Sequence, residues 1–187
     1  MVRGIPLAQS CACCLPPGFA TGMGRRHLFA LAGGLVAAGM LGHAARAADG
    51  TAYDSMLLTC IDPRLVSPVG AWMDAQNLKG KYSQFAIAGA AIGVVAPSFA
   101  GWAPAFWENL GASIQLHKIS RVMVVNHRDC GAAKIAYGEA AIATRDAETA
   151  LHRRVFAEFA AQITQHQPTL KLGGGLMALD GTLETLA

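Results

Sequence analysis

The sequence has 187 residues, 53% of them hydrophobic, which suits one domain with a hydrophobic core and is too short for two of ordinary size. Its formal net charge of +3 belongs to the N-terminal segment, since all twelve acidic residues lie after Ala48 but only eleven of the fifteen basic ones do. Residues 48–187 contain no stripe of Lys and Arg interleaved with aromatic residues, so the composition argues against a nucleic-acid partner.

Residues 1–47 have the pattern of a leader with a signal peptide. Arg25-Arg26 precede an apolar, Gly/Ala-rich run over 28–42, and Ala45-Arg46-Ala47 fits a small-x-small cleavage site. The run is shorter than the roughly 20 residues of a membrane-spanning helix. We therefore expect cleavage after Ala47 and no membrane span afterwards; the alternative is an uncleaved N-terminus that tethers the chain to a membrane.

The arginine pair resembles a twin-arginine signal, which implies export of a folded protein, most simply to the periplasm. Residues 1–22 fit no part of such a signal, which indicates a translation start at Met23. The predicted organisation is therefore the leader, 1–47, and a single domain, 48–187.

From Ser55 onward, short apolar runs alternate with helix-like stretches, a pattern typical of an α/β domain. We expect a central, mostly parallel sheet of about four strands flanked by helices. The run Val122–Val125 is almost continuously apolar, as expected for a central strand covered on both faces. Strands are predicted at 56–61, 84–88, 121–126 and around 175–179, and helices at 68–78, 105–117, from 131 onward and at 146–165.

Three residues with metal-ligand chemistry follow predicted strands. Cys60 ends the first strand, His127 follows the most apolar one, and Cys130 stands at a predicted helix start, which is expected to lower the pKa of its thiol. Ligands bind beyond the carboxyl ends of parallel strands, so these residues can face one crevice. Two thiolates and an imidazole suit zinc, and three protein ligands leave a fourth position open, as catalytic zinc requires.

A disulfide is the alternative for these cysteines, because two cysteines in an exported protein commonly pair. Export in the folded state favours the metal, since zinc could bind in the reducing cytoplasm. The sequence offers no fourth Cys or His near the three ligands. We expect the remaining histidines of the helical segments, His117, His152 and His166, to be surface or core residues.

Asp62 and Arg64 follow Cys60 closely and are expected to project into the same region. An arginine can pair a carboxylate bidentately and keep it ionised. Such a carboxylate could orient a water molecule at the metal. The alternative is a surface ion pair after a turn at Pro63.

Two motifs resemble the signatures of the β-class carbonic anhydrases. Cys60-Ile61-Asp62-Pro63-Arg64 resembles Cys-x-Asp-x-Arg, and His127-Arg128-Asp129-Cys130-Gly131 resembles His-x-x-Cys-Gly. The resemblance covers about 56–186 and implies the β-carbonic-anhydrase fold and one zinc ion per subunit. It also implies reversible hydration of carbon dioxide to bicarbonate and a proton, and a homodimer or higher oligomer.

The sequence departs from the family pattern at several positions that are not ligands. Ala86 and Ile87 stand where the family has Arg-Asn, Asn126 stands where it has glycine, and Pro63 replaces a small residue. Two other functions therefore stay open. One is hydrolysis of carbon disulfide or carbonyl sulfide with the same ligands, and the other is a non-catalytic zinc-binding or redox protein.

Overall fold

A computed structural model describes residues 52–186, and these contain one sheet of five strands. The strands are β1 (Ser55–Thr59), β2 (Tyr82–Ala86), β3 (Arg121–His127), β4 (Lys171–Met177) and β5 (Leu183–Thr185). Their order is β2-β1-β3-β4-β5, with β1 to β4 parallel and β5 antiparallel to β4. The α/β prediction is confirmed, and the sheet gains a short fifth strand beyond the four expected.

Within residues 52–186, five α-helices accompany the sheet: α1 (Val66–Ala75), α2 (Ala91–Val95), α3 (Ala103–His117), α4 (Gly131–Tyr137) and α5 (Arg145–His166). Four of them lie where the sequence predicts helices, with ends shifted by a few residues. The exception is α2, whose five residues are too few to show a helical period. Short 3-10 turns cover Pro63–Leu65, Pro97–Trp102 and Glu139–Ile142. In the described part of the chain, no helix is long and apolar enough to cross a membrane.

The core lies on both faces of the sheet, which explains the continuous apolar run in β3. Val124 belongs to a cluster with Phe106 of α3 and Phe159 of α5, whereas Val125 belongs to a second cluster with Met73 of α1. Successive side chains of a strand point to opposite faces, so every residue of the run is buried. The central strand is thereby covered on both faces, and its last residue is His127.

β4 begins nearer the N-terminus than the predicted strand and contains the run Gly173–Gly175, a residue type that is depleted in strands. Glycine in a strand interior normally weakens it unless another backbone approaches closely. That is the case here, since a Cβ at Gly174 would overlap the carbonyl oxygen of Val124. The glycines thus allow β4 to pair closely with β3.

The expectations for residues 1–47 concern a segment outside the described residues. These are the signal peptide, its cleavage after Ala47 and the translation start at Met23. They stay predictions.

Candidate metal centre

Cys60, His127 and Cys130 converge at one end of the sheet, as the strand-end argument predicts. Cys60 follows β1, His127 is the last residue of β3, and Cys130 is the N-terminal cap of α4. Their ligand atoms all lie within 4.8 Å of one another, and all three side chains are buried. This group could hold a metal ion.

The ring of His127 is oriented as a metal ligand requires. Its Nδ1–H donates to the carbonyl oxygen of Arg128 at 2.8 Å, because a carbonyl can only accept. Nε2 therefore faces the two sulfurs, is buried and has no hydrogen-bond partner among the described residues. Burial lowers the pKa of His127, but Cys60, the Arg128 carbonyl and the charge of Asp62 together raise that pKa overall. Nε2 is thus a position where a proton and a metal ion compete.

The two cysteines are buried and form no disulfide. The nearby Cys130 thiol, His127 and the backbone N–H of Gly89 together lower the pKa of Cys60 to about 4. The Gly89 bond measures 3.2 Å from N to Sγ. A site that already favours a thiolate suits a cation.

The N-terminus of α4 acts on Cys130 in the expected direction, because the backbone amides of Ala132 and Ala133 lower the pKa of its thiol. The neighbouring Cys60 thiolate, together with burial, raises the pKa of Cys130 by more. Because the two sulfurs lie so close together, a negative charge on one opposes a charge on the other, and the thiols titrate as a pair.

Asp62 and Arg64 pair beside the three residues. Asp62 Oδ1 accepts from the backbone N and Nε of Arg64 at 2.9 and 3.0 Å, and Oδ2 accepts from Nη2 at 2.7 Å. These bonds lower the pKa of Asp62 to about 2. Oδ2 also lies 3.9 Å from Nε2 of His127, so the structure places the pair at the cluster and not on a remote surface.

Asp129 was not singled out from the sequence. Arg64 Nη1 donates to its Oδ2 at 2.9 Å, and Nη2 donates to its carbonyl oxygen at 3.2 Å. Arg64 therefore ties the Cys60–Arg64 segment to the loop between His127 and Cys130. The only sequence signal is that Asp is among the few non-glycine types that tolerate positive φ, and Asp129 has φ +55°.

A second group of residues that the sequence does not indicate also holds the loop between His127 and Cys130. Arg128 is 8% exposed and donates to Glu148 Oε2 at 3.1 Å and to Glu184 Oε2 at 2.7 Å. Glu148 Oε1 accepts from the backbone N of Asp129 at 2.6 Å. The sequence places Glu148 in the first turn of a predicted helix, but it does not indicate that this side chain faces inward.

The other histidines lie where we expect them, away from the ligand positions. His152 is fully buried in α5, and its pKa is lowered to about 4, first by burial and then by the charges of His127 and Arg128. His166 lies against Trp107, with ring centroids 4.4 Å apart. Among the described residues, the candidate metal ligands number three.

Comparison with protein families gives a match over most of the described chain. A family model described as "Putative carbonic anhydrase" matches residues 52–161. An uncharacterized protein of Rickettsia conorii is 27% identical over 132 residues, which cover 71% of each chain. An uncharacterized protein of Rickettsia bellii is 26% identical over 132 residues, which cover 71% of this chain and 80% of that one.

Two solved structures are also similar. The carbonic anhydrase from Glaciozyma antarctica has a TM-score of 0.47 at 19% identity, and the match covers 76% of this chain and 88% of that one. The β-carbonic anhydrase CafA of Aspergillus fumigatus has a TM-score of 0.49 at 13% identity, with 74% and 78% covered.

Proposed function

Because the chain belongs to this carbonic anhydrase family, we propose that it catalyses the zinc-dependent, reversible hydration of carbon dioxide to bicarbonate and a proton. The observation that carries the proposal is the convergence of Cys60, His127 and Cys130, whose donor atoms lie within 4.8 Å of one another. Two sulfurs and one imidazole nitrogen suit zinc and leave a fourth position for water. One zinc ion per subunit is expected.

Zinc at these ligands would supply the Lewis acidity that lowers the pKa of a water molecule toward ~7. Asp62 has a pKa of about 2 and stays ionised at neutral pH. It is therefore too weak a base to keep the proton, and it acts as a hydrogen-bond acceptor that orients the attacking water. Arg64 holds this carboxylate through three short hydrogen bonds, and the proton leaves to buffer.

An apolar groove beside the site supports a small, weakly solvated substrate. Its lining includes Ile61, Ala86, Ile87 and Trp102. Ile61 lies between Cys60 and Asp62 in the chain, so one wall of the groove belongs to the segment that carries both residues. Carbon dioxide carries no charge and is compatible with such walls.

The same groove favours a second candidate, the hydrolysis of carbon disulfide or carbonyl sulfide. Ala86 and Ile87 provide apolar walls where the β-class signature has Arg-Asn. A less polar lining suits these sulfur analogues at least as well as carbon dioxide. The ligand set would be the same for all three substrates.

Stopped-flow assays with the purified, zinc-loaded full chain separate these functions. Hydration is followed with a pH indicator, and hydrolysis of the sulfur compounds by release of hydrogen sulfide. The proposal expects zinc-dependent hydration above the buffer rate. Hydrogen sulfide release without hydration would assign the second function instead.

A non-catalytic zinc-binding or redox function predicts different thiol behaviour. Cys60 and Cys130 are free and close enough to pair on oxidation. In the proposed enzyme, Cys60 and Cys130 are expected to react slowly until a chelator removes zinc. If peptide mapping shows that neither of these two cysteines is modified, even after chelation, a disulfide would be indicated.

We also propose that the chain is exported to the periplasm and acts there as a homodimer or higher oligomer. Support for export comes from Arg25-Arg26 and the apolar run that follows. Support for association comes from the exposed side chains of Ile61 and Trp102, 63% and 40% accessible. N-terminal sequencing of the exported protein should begin at Ala48, and light scattering should give a mass above that of one chain.

A further inference from the structure

The turn that donates a hydrogen bond to Cys60 has an unusual backbone. It consists of Gly89, with φ +81°, and Ala90, with φ +50°, and it leads directly into α2 at Ala91. A Cβ on Gly89 would lie 2.9 Å from the Cβ of Ala132, a residue of the first turn of α4. The turn is thus pressed against the segment that follows Cys130, with its N–H aimed at the sulfur of Cys60.

Positive φ at a residue with a Cβ is unfavourable, by about 1 kcal/mol or more, and persists only where the surroundings enforce it. Ala90 is fully buried, so its conformation is set by the protein around it. Asn126 makes a hydrogen bond to the residue that follows this turn, Ala91. Its Oδ1 accepts from the backbone N–H of Ala91 at 3.1 Å.

The orientation of the Asn126 amide is fixed by its second partner. Its other end lies 3.2 Å from Nδ1 of His152, and both side chains are fully buried. Because the Ala91 N–H can only donate, Oδ1 must face Ala91, and Nδ2 then donates to His152. His152 on α5 and Ala91 on α2 therefore hold one amide between them.

We propose that Asn126, held by His152, is a positioning residue of the metal centre that keeps the Gly89 N–H on the sulfur of Cys60. The inference rests on the proposed function, in which Cys60 is a metal ligand. A hydrogen bond to a coordinating thiolate withdraws electron density from the sulfur and fixes its direction. Asn126 thus acts on the metal through the turn and through Cys60, without touching the metal position itself.

The test uses the full chain loaded with Co²⁺ in place of zinc, because cobalt bound to thiolates gives a sulfur-to-metal charge-transfer band. In Asn126→Ala the turn loses its anchor, the sulfur becomes a better electron donor, and the band moves to longer wavelength. Zinc affinity, measured by competition with a chelator, should fall about 10-fold. Ser113→Ala is the control, since it removes a buried hydroxyl paired with Ser83 at 2.5 Å on a different part of the fold.

His152 offers a second route if Asn126→Ala does not fold. His152→Leu removes the acceptor for the Asn126 amide and should move the cobalt band to longer wavelength, by less than Asn126→Ala does. His152→Asn keeps an acceptor, so its band should lie at the wild-type position. A cobalt band and zinc affinity that stay at wild-type values in both Asn126→Ala and His152→Leu would overturn the inference. Absence of the band in the wild-type protein would instead overturn the metal site, and this inference with it.

Discussion

Asp62 Oδ2 lies 3.9 Å from Nε2 of His127, which is the ring nitrogen that faces the two cysteines. Three bonds from Arg64 already hold this carboxylate, and Arg64 in turn is bonded to Asp129, between the candidate ligands His127 and Cys130. The carboxylate is therefore placed by the same loops that place the ligands. Its direction is set before any substrate arrives, as an orienting acceptor requires.

Asp62→Asn should keep zinc and lose activity. The amide has nearly the same shape, but it carries no charge and presents an N–H where a hydrogen bond is to be accepted. We expect the rate of carbon dioxide hydration to fall about 10²-fold while zinc content stays at one equivalent. Asp74→Asn, at an exposed carboxylate that pairs with Lys79 at 3.6 Å, is the matched control. A wild-type rate in Asp62→Asn would remove this residue from the mechanism.

Substitution of any of the three ligands should abolish metal binding. Cys60→Ser, His127→Ala and Cys130→Ser each leave two protein ligands, too few for tight zinc binding. Zinc per chain, measured by mass spectrometry of the metal after gel filtration, should fall well below one equivalent. His166→Ala serves as the control. If Cys130→Ser kept one equivalent of zinc, the ligand assignment would be wrong.

Glu148→Ala should destabilise the fold, because it leaves Arg128 with only part of its pairing and the N–H of Asp129 without its acceptor. Breaking a buried ion pair in this way costs about 3 kcal/mol. Urea unfolding should show that loss. Glu158→Ala, an exposed acidic residue on the same helix, should change the free energy of unfolding by less than about 0.5 kcal/mol. Equal stability of the two variants would contradict the inward role of Glu148.

His152 predicts a pH dependence of stability. Its pKa is about 4 in the folded protein against 6.5 in the unfolded chain, so between these values the unfolded state binds more protons. Stability is therefore lost as the pH falls from about 6.5 to about 4, by about 2 kcal/mol between pH 7 and pH 5.

His152→Asn lacks this titration and isolates it from other acid effects. Urea unfolding at pH 7 and at pH 5 gives the free energy of unfolding of wild type and variant. Between pH 7 and pH 5, the wild type should lose about 2 kcal/mol relative to the variant. A difference that does not change with pH would show that His152 titrates normally in the folded protein.

The sequence predicts the metal cluster and most of the sheet because both depend on local pattern. Apolar runs mark the strands, and Cys60 and His127 follow two of them at the edge where parallel strands end. It does not predict Glu148 or the contact of Asn126 with His152. Those contacts depend on how α5 is rotated against β3. The partners lie about twenty or more residues apart in the sequence, and no periodic pattern in the sequence indicates contacts over such a separation.

The C-terminal strands show a similar limit. Gly173–Gly175 favours an interruption by local propensity, but these residues lie inside β4 because the close approach of β3 requires glycine. β5 has only three residues, too few for an alternating pattern to be recognised. In both cases the tertiary contact decides the local structure.

The most direct test of the account is the hydration rate of one preparation of the full chain as zinc is removed and returned. A chelator should abolish catalysis of carbon dioxide hydration, and stepwise addition of zinc should restore the rate linearly until one equivalent per chain is bound, with no further gain. A hydration rate that stays at the buffer value with one equivalent of zinc bound, or that is unaffected by complete removal of zinc, would contradict it.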